Sequence, residues 1–514
     1  MAVTFLGAAQ NVTGSSYAVS VDDSTVLVDC GLYQERALKD RNWAAFPVSP
    51  ARIRAVLLTH AHLDHCGLMP KLVREGFRGA IYCTPATAEI ARIVLLDSAK
   101  IHEEDALNKA KRHAKEGRRG PYPDLPLYTI RDAEAVLPLF TPVAYGAPVP
   151  VAPGIKASFF EAGHILGSAM IKLDLNSCSG NSSLVGGALR AATGTTDPSP
   201  CAARLPHETV ARPRPDQFQA PVTSSSPLER SILFTGDLGR CHLPILQDPA
   251  SCQAADYVVM ESTYGDRVHE ATEDIPDALA RILNATLQAG GKVVIPAFAV
   301  ERTQELIYYL SALLRAGKIP QLPVFLDSPM AIRVTEVFNR HKELFDEETK
   351  VLMGQGGEPY AFPGMTLTSK VEESKAINRV KGPAVIIAGS GMCNGGRIKH
   401  HLANTISRKG NTILFVGYQA MGTLGREILG GTPKVRILGR WYQVRARVEQ
   451  LHGFSAHADR EELLAWLRAC AQPPRRIFVT HGEAATALAF AEFVQEKTGW
   501  NASAPAYNQR VTLA

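Results

Sequence analysis

The run Thr59-His60-Ala61-His62-Leu63-Asp64-His65 constrains this chain more than any other segment, because it sets three histidines and an aspartate within six residues. The cluster follows the apolar run Val56-Leu57-Leu58, which reads as a buried strand, and precedes a helical pattern over 68–75 that stops at Gly76. In an extended or turning backbone His60 and His62 project the same way and can share one metal ion. Asp64 and His65 lie on the turn into the helix and can reach a second ion close by. A polar turn with internally satisfied histidines is the plain alternative, and the density of ligand-type side chains weighs against it. One segment cannot complete two metal sites, so the fold must bring further ligands to this point.

A repeated local pattern indicates where they come from. Several apolar runs end in a ligand-type residue followed by small residues: Val26-Leu27-Val28-Asp29, Phe159-Phe160-Glu161-Ala162-Gly163-His164, Ile232-Leu233-Phe234-Thr235-Gly236-Asp237, Val258-Val259-Met260-Glu261 and Ile477-Phe478-Val479-Thr480-His481. If these strands share one sandwich, their ends meet at one rim and line a single cleft with groups that would be costly in a core. Taken alone, each His or Asp is more often a surface or turn residue; together with the dense cluster they read as one site. His457 stands before a helical pattern, between Ser455 and Asp459. These are sequence neighbours, not a strand-turn-helix nucleophile elbow, and no G-x-S-x-G motif supports serine chemistry. Mostly imidazole ligands favour zinc, with manganese as the alternative.

With 514 residues the chain is too long for one ordinary core, so two or three domains are expected. The opening reads as strands over 3–6, 17–21 and 26–28, and a long helical pattern with a charged second half covers 89–114. Strand patterns at 170–175 and 231–235 flank a Ser-, Gly-, Ala-, Thr- and Pro-rich stretch over 177–227, which reads as a low-complexity insertion in a hairpin. From 266 to 440 helical patterns (275–289, 301–316) alternate with apolar strands (293–296, 324–326, 384–388, 412–416), the mark of parallel α/β units. The last stretch reads as short strands and one helix over 460–469, ending on a strand at 477–480.

The net charge of +5 permits an anionic substrate without arguing for one. Basic residues do cluster, at Lys109, Lys111, Arg112, Lys115, Arg118 and Arg119, and again at Arg436, Arg440, Arg445 and Arg447. Nine cysteines without a C-x-x-C pair are neither a disulfide framework nor a zinc ribbon and suit a reducing compartment. No basic leader or long apolar run is present, so a cytoplasmic protein without membrane contact is expected. The glycine-rich run from Gly389 to Arg397 follows a strand but fails the dinucleotide fingerprint at Asn394. It can hold one phosphate on its backbone N–H groups or be a tight turn that needs glycines.

The pattern H-x-H-x-D-H, with Asp29, His164 and Asp237 following in order, resembles the metallo-β-lactamase fold. Glu261 at a strand end, His457 in Ser-Ala-His and His481 in Thr-His-Gly-Glu narrow the resemblance to the β-CASP branch of nucleases. The resemblance covers nearly the whole chain outside 177–227. It implies an α/β fold: an αββα metallo-β-lactamase sandwich over 1–265, an inserted α/β β-CASP domain over 266–440, and a return segment over 441–514. It further implies one zinc on His60, His62 and His164, a second on Asp64, His65 and His481, Asp237 bridging, and Asp29 orienting the ligand loop. A histidine at 481 goes with RNA substrates in this branch.

By the same resemblance the reaction is hydrolysis of single-stranded RNA by a two-metal-activated hydroxide, leaving 5′-phosphate and 3′-hydroxyl ends. Asp64, Asp237, Glu261 and His457 would carry the chemistry, His457 as proton donor oriented by Glu261. Arg302, Thr303, Ser390, Gly391 and Arg397 are candidates to hold flanking phosphates, and a homodimer is admitted. Rival readings are a hydrolase of DNA or of a small ester or phosphodiester on the same metal core, and a metal-free RNA-binding subunit. Turnover of a small chromogenic diester without RNA cleavage would mark the small-molecule hydrolase, and lack of bound metal would mark the subunit.

Overall fold

The computed structural model describes residues 1–117, 120–177, 228–269 and 275–514. Two seven-stranded sheets face each other. Reading across the first, the strands are Arg510–Thr512, Ala2–Phe5, Tyr17–Val21, Ser24–Val28, Ile53–Leu57, Ala80–Cys83 and Phe140–Pro142. Across the second they are Ala502–Ser503, Arg476–Val479, Tyr257–Met260, Leu228–Phe234, Ala169–Ser177, Ile155–Glu161 and Val149–Ala152. Alternation along the strands sends Val19, Val26, Val28 and Leu57 of one sheet against Ile171, Phe234, Val259 and Phe478 of the other. Tyr17 and Phe234 meet across this core at a ring separation of 5.6 Å, and Phe5 and Phe478 at 5.1 Å. The opposite residues of each sheet pack on helices. Leu27, Val56 and Ile81 meet Leu72, Ile90 and Leu95, while Leu233, Val258 and Ile477 meet Leu463, Leu467 and Phe490. The result is the expected αββα sandwich.

The strands Ala169–Ser177 and Leu228–Phe234 pair antiparallel from Phe234↔Ile171 to Leu228↔Ser177, the hairpin expected from their sequence. The low-complexity stretch between them lies outside the described residues from 178 onward, as do Arg118 and Arg119 of the first basic cluster.

Two features of the last stretch differ from the sequence reading. The chain does not end on the strand Arg476–Val479; a second helix, Ala484–Thr498, and two more strands follow. That helix buries Ala487, Phe490, Ala491 and Val494, an i, i+3, i+4, i+7 set, but alanines and Leu488 on its outer face blur the apolar contrast that marks a helix. The final strand pairs with the first, Ala2↔Thr512, so the two ends of the chain close one sheet. Cys252 and Cys470, 218 residues apart, also form a disulfide, a pairing that cysteine spacing does not reveal.

The third sheet has six strands, in the order Met365–Leu367, Val324–Asp327, Ala384–Ala388, Lys292–Pro296, Thr412–Phe415 and Arg447–Gln450, every pairing parallel. Helices cover both faces, so its central strand Ala384–Ala388 is buried throughout and reads as an unbroken apolar run. The unit docks on the first: Arg340, ending the helix Pro329–Arg340, pairs with Glu89 of the long helix Pro85–Glu116 at 2.6 Å.

A polar knot anchors one end of this sheet. Asp327 accepts from Arg397 Nη1 at 2.6 Å, His401 Nε2 at 2.6 Å, Ser374 Oγ at 2.5 Å and Thr368 Oγ1 at 3.0 Å. Burial alone would raise its carboxyl pKa; the hydrogen bonds from His401, Ser374 and Arg397 outweigh burial and hold it at about 2. Because the folded value lies below the unfolded one, the stabilisation is complete above about pH 4 and disappears as the pH falls through about 2. Asp327→Asn is therefore expected to cost about 2 kcal/mol at neutral pH, with the gap to the parent protein closing in denaturant titrations run toward pH 2. A gap that does not depend on pH would show that the carboxylate charge is not what stabilises the knot.

Candidate metal centre and active site

The ligand-type residues singled out in the sequence come from the C-terminal ends of strands and the loops that follow, and they meet. Asp29 follows Ser24–Val28, Thr59 and His60 follow Ile53–Leu57, His164 follows Ile155–Glu161, Asp237 follows Leu228–Phe234, Glu261 follows Tyr257–Met260, and His481 follows Arg476–Val479. Close packing at the rim explains the small residues beside them. Gly236, at φ +56°, precedes Asp237, and a Cβ there would lie 2.9 Å from Cβ of Thr59.

Two groups of side chains converge. In the first, His60 Nε2 is 3.1 Å from His62 Nδ1, which is 3.3 Å from His164 Nε2. Asp237 Oδ2 lies 3.4 Å from His60 Nε2 and 3.5 Å from His164 Nε2. In the second, His65 Nε2 and His481 Nε2 are 3.2 Å apart, Asp237 Oδ1 lies 3.2 and 3.5 Å from them, and Asp64 Oδ2 is 3.7 Å from His481. Asp237 thus turns one oxygen to each group. Donor atoms set tetrahedrally at ~2.1 Å from a zinc ion are separated by roughly 3.4 Å, so the spacing suits a shared cation. Asp237 Oδ1 is also buried without a hydrogen-bond partner, an orphan that a cation would satisfy.

The surrounding groups fix which ring nitrogen is free. Asp29 accepts the Thr59 hydroxyl at 2.8 Å and His65 Nδ1 at 2.7 Å. With its proton committed to Asp29, Thr59 Oγ1 accepts from His60 Nδ1 at 3.1 Å. Thr263 Oγ1 meets His481 Nδ1 at 3.0 Å. In each case Nδ1 is held from behind and Nε2 points inward as an acceptor. Burial, aided by His65, holds His60 down at about 3, and burial holds His62 at about 4 and His164 well below its ordinary value. These three stay neutral, as ligands must. Burial also opposes charge on His65 and His481, yet the carboxylates of Asp237, Asp29 and Asp64 raise both. This half of the site carries negative charge that a cation would balance.

His457 sits beside the first group, its ring 4.5 Å from that of His164. Its Nδ1 lies 3.0 and 3.1 Å from the two oxygens of Glu261. Glu261 is itself held by the N–H groups of Leu238 at 2.7 Å and Thr263 at 3.2 Å. Burial opposes protonation of His457, but Glu261, with Asp237 and Asp64, raises its pKa to about 9. Asp459 does not form a Ser-His-Asp relay: it caps the helix Arg460–Arg468, accepting from the N–H groups of Glu461 and Glu462.

The phosphate candidates fare unevenly. Thr303 is buried and its hydroxyl donates to the Phe298 carbonyl, and Arg397 is committed to Asp327 and to the carbonyls of Thr368 and Ser369. These engagements count against both as holders of a flanking phosphate. The glycine-rich run forms a tight turn: Ser390 Oγ accepts from Gly395 N–H, and a Cβ on Gly391 would lie 2.8 Å from the Phe298 ring. Arg302 pairs with Glu305 and lies over the Phe454 ring at 5.5 Å.

Several residues at the site escaped the sequence reading. Thr59 and Thr263 orient His60 and His481, and His269 Nε2 meets the His457 carbonyl at 3.0 Å. The buried Glu301 accepts from Leu166 N–H at 3.2 Å, bracing the loop that carries His164 from the third sheet's side. Thr59 adjoins the histidine cluster and could have been suspected; the others carry no local signal.

Comparison with known proteins agrees with this geometry. Residues 10–152 match the metallo-beta-lactamase superfamily, 303–428 the Beta-Casp domain, and 441–505 the Zn-dependent metallo-hydrolase RNA specificity domain. Ribonuclease TTHA0252 of Thermus thermophilus is 36% identical over 494 residues, covering 96% of each chain. The transcription termination factor FttA of Methanocaldococcus jannaschii is 30% identical over 506 residues, 96% of this chain and 68% of that protein. FttA of Methanosarcina mazei is 30% identical over 511 residues, 96% of this chain and 69% of that protein.

Proposed function

Because this chain belongs to the β-CASP branch of the metallo-β-lactamase superfamily and is a metal-dependent hydrolase of its ribonuclease family, we propose that it hydrolyses single-stranded RNA at a centre for two zinc ions. His60, His62 and His164 would hold one ion, Asp64, His65 and His481 the other, and Asp237 would join them. The observation that carries this reading is the division of Asp237, one oxygen facing each group of histidines. Metal ions bound there would lower the pKa of a water and polarise a phosphoryl oxygen.

The chain's own residues do the rest. Asp29, Thr59 and Thr263 keep the ligand rings in register. Glu261 fixes Nδ1 of His457, so that Nε2 presents a proton to the departing 3′ oxygen. The products would carry 5′-phosphate and 3′-hydroxyl ends. Among the described residues no helix is long and apolar enough to cross a membrane; a cytoplasmic location and a homodimer remain part of the proposal. The name of the Thermus relative and the RNA specificity match at 441–505 favour RNA over DNA.

The test is incubation with single-stranded RNA labelled at either end and with matched DNA, alongside metal analysis of the same sample. About two equivalents of zinc, cut RNA and intact DNA are expected. Bound metal with neither nucleic acid cut, and a small diester turned over instead, would replace this reading with that of a small-molecule hydrolase.

A further inference from the structure

The second basic cluster of the sequence lies outside the metal centre. Residues 430–448 contain five basic side chains and no acidic one. They build a separate antiparallel hairpin, Lys434–Ile437 with Arg440–Gln443, turned at Leu438 and Gly439, both at positive φ. Its inner face is apolar: Val435 and Ile437 are fully buried with Ile398, Leu402, Ile406 and Ile428. The pairing Lys434↔Gln443 and Arg436↔Trp441 then puts these four residues together on the outer face.

Trp441 is 61% exposed there, although tryptophan is highly buried on average. Lys434 Nζ lies 5.5 Å from the centre of its ring. Among the described residues the cluster's only ion pair is Arg447 with Glu449, at 3.9 Å, so Lys434, Arg436, Arg440 and Arg445 face solvent without carboxylate partners. A hairpin whose outer face carries an exposed aromatic ring beside Lys434 and Arg436, with Arg440 and Arg445 exposed close by in sequence, is matched to unstacked bases on a phosphate backbone. A protein partner would have to supply a dense acidic surface and desolvate four cations, which makes it the poorer fit.

We propose that this hairpin is a second RNA-binding surface, one that holds single-stranded RNA flanking the scissile bond. The proposal rests on the ribonuclease reading above. The hairpin leads through the strand Arg447–Gln450 toward His457, and the segment from Gln443 to His457 spans at most ~50 Å. An RNA that fills only the cleft would miss the hairpin, whereas a longer one would engage both surfaces and gain affinity from the second.

The test measures equilibrium binding, in the zinc-loaded His457→Ala background so that the RNA stays intact, of fluorescent oligouridylates of about 6 and about 25 nucleotides, chosen against usual site sizes of roughly 4–16. The long RNA is expected to bind more tightly. Trp441→Ala should weaken long-RNA binding about tenfold, with Trp441→Phe restoring most of it. Combined Lys434→Gln, Arg436→Gln and Arg440→Gln should reduce the salt slope by roughly 2. All four side chains are exposed, and circular dichroism checks that the variants fold. If these variants keep the full advantage of long over short RNA, or if the His457→Ala parent shows none, the hairpin proposal is overturned while the ribonuclease reading stands. Binding and cleavage of no RNA of either length by the wild-type protein would overturn both.

Discussion

Replacing His457 by alanine is expected to slow RNA hydrolysis by about 10²–10⁴-fold while bound metal stays at the parent level. The expectation follows from where the ring sits. His457 adjoins His164, but His60, His62, His164 and Asp237 Oδ2 come together as a group without it. Its Nδ1 is committed to Glu261, whose oxygens also take two backbone N–H groups. In the proposed mechanism that arrangement aims a proton at the cleft, with the metal ions held by the other side chains. Glu261→Gln should cause a smaller loss, because the amide oxygen still accepts from Nδ1 but no longer favours the charged ring. Metal content and initial rates measured on the same preparations decide the matter. If His457→Ala loses metal to the same extent as a ligand variant, the proton-donor role is wrong.

His62→Ala and Asp237→Asn should lose metal and activity together, with rates down by at least about 10³-fold, since several kcal/mol of transition-state stabilisation depend on the ions. Asp237 has the wider consequence because both groups share it. Stability should follow occupancy: chelation should lower the melting temperature of the parent protein, and added zinc should raise it again, because a ligand that binds only the folded state stabilises it by mass action. The melting temperatures of the two variants should respond to neither. Asp29→Asn is a graded control. It keeps every ligand but weakens the hold on His65 Nδ1, so metal affinity should fall by about 10–100-fold without vanishing. A variant of Asp237 that retains both ions would refute the bridging role.

Much of this site was readable before the fold was known, for a local reason. His60, His62, Asp64 and His65 crowd into one turn, and the other candidate ligands each follow an apolar run that reads as a buried strand. The α/β texture of the third sheet was equally legible, because parallel strands covered on both faces, such as Ala384–Ala388, carry continuous apolar runs. Where contrast is weak the reading failed, as in the alanine-rich helix Ala484–Thr498. Residue type alone was also a weak guide. Thr303 and Arg397 are types that bind phosphate, and only packing shows that Phe298 and Asp327 already engage them.

What the sequence determined by itself is the chemistry available: which side chains can hold a cation, at which strand ends, and in what order along the chain. Those are consequences of side-chain type and short-range periodicity, which the chain carries locally. What only the tertiary structure decided is every relation that crosses the chain. It turned the two oxygens of Asp237 toward different histidines and set Glu261 behind His457, 196 residues away. It engaged Arg397 with Asp327, joined Cys252 to Cys470, and left Trp441 in solvent. Such relations depend on the register of strands and the packing of helices far apart in sequence, and no local pattern encodes them.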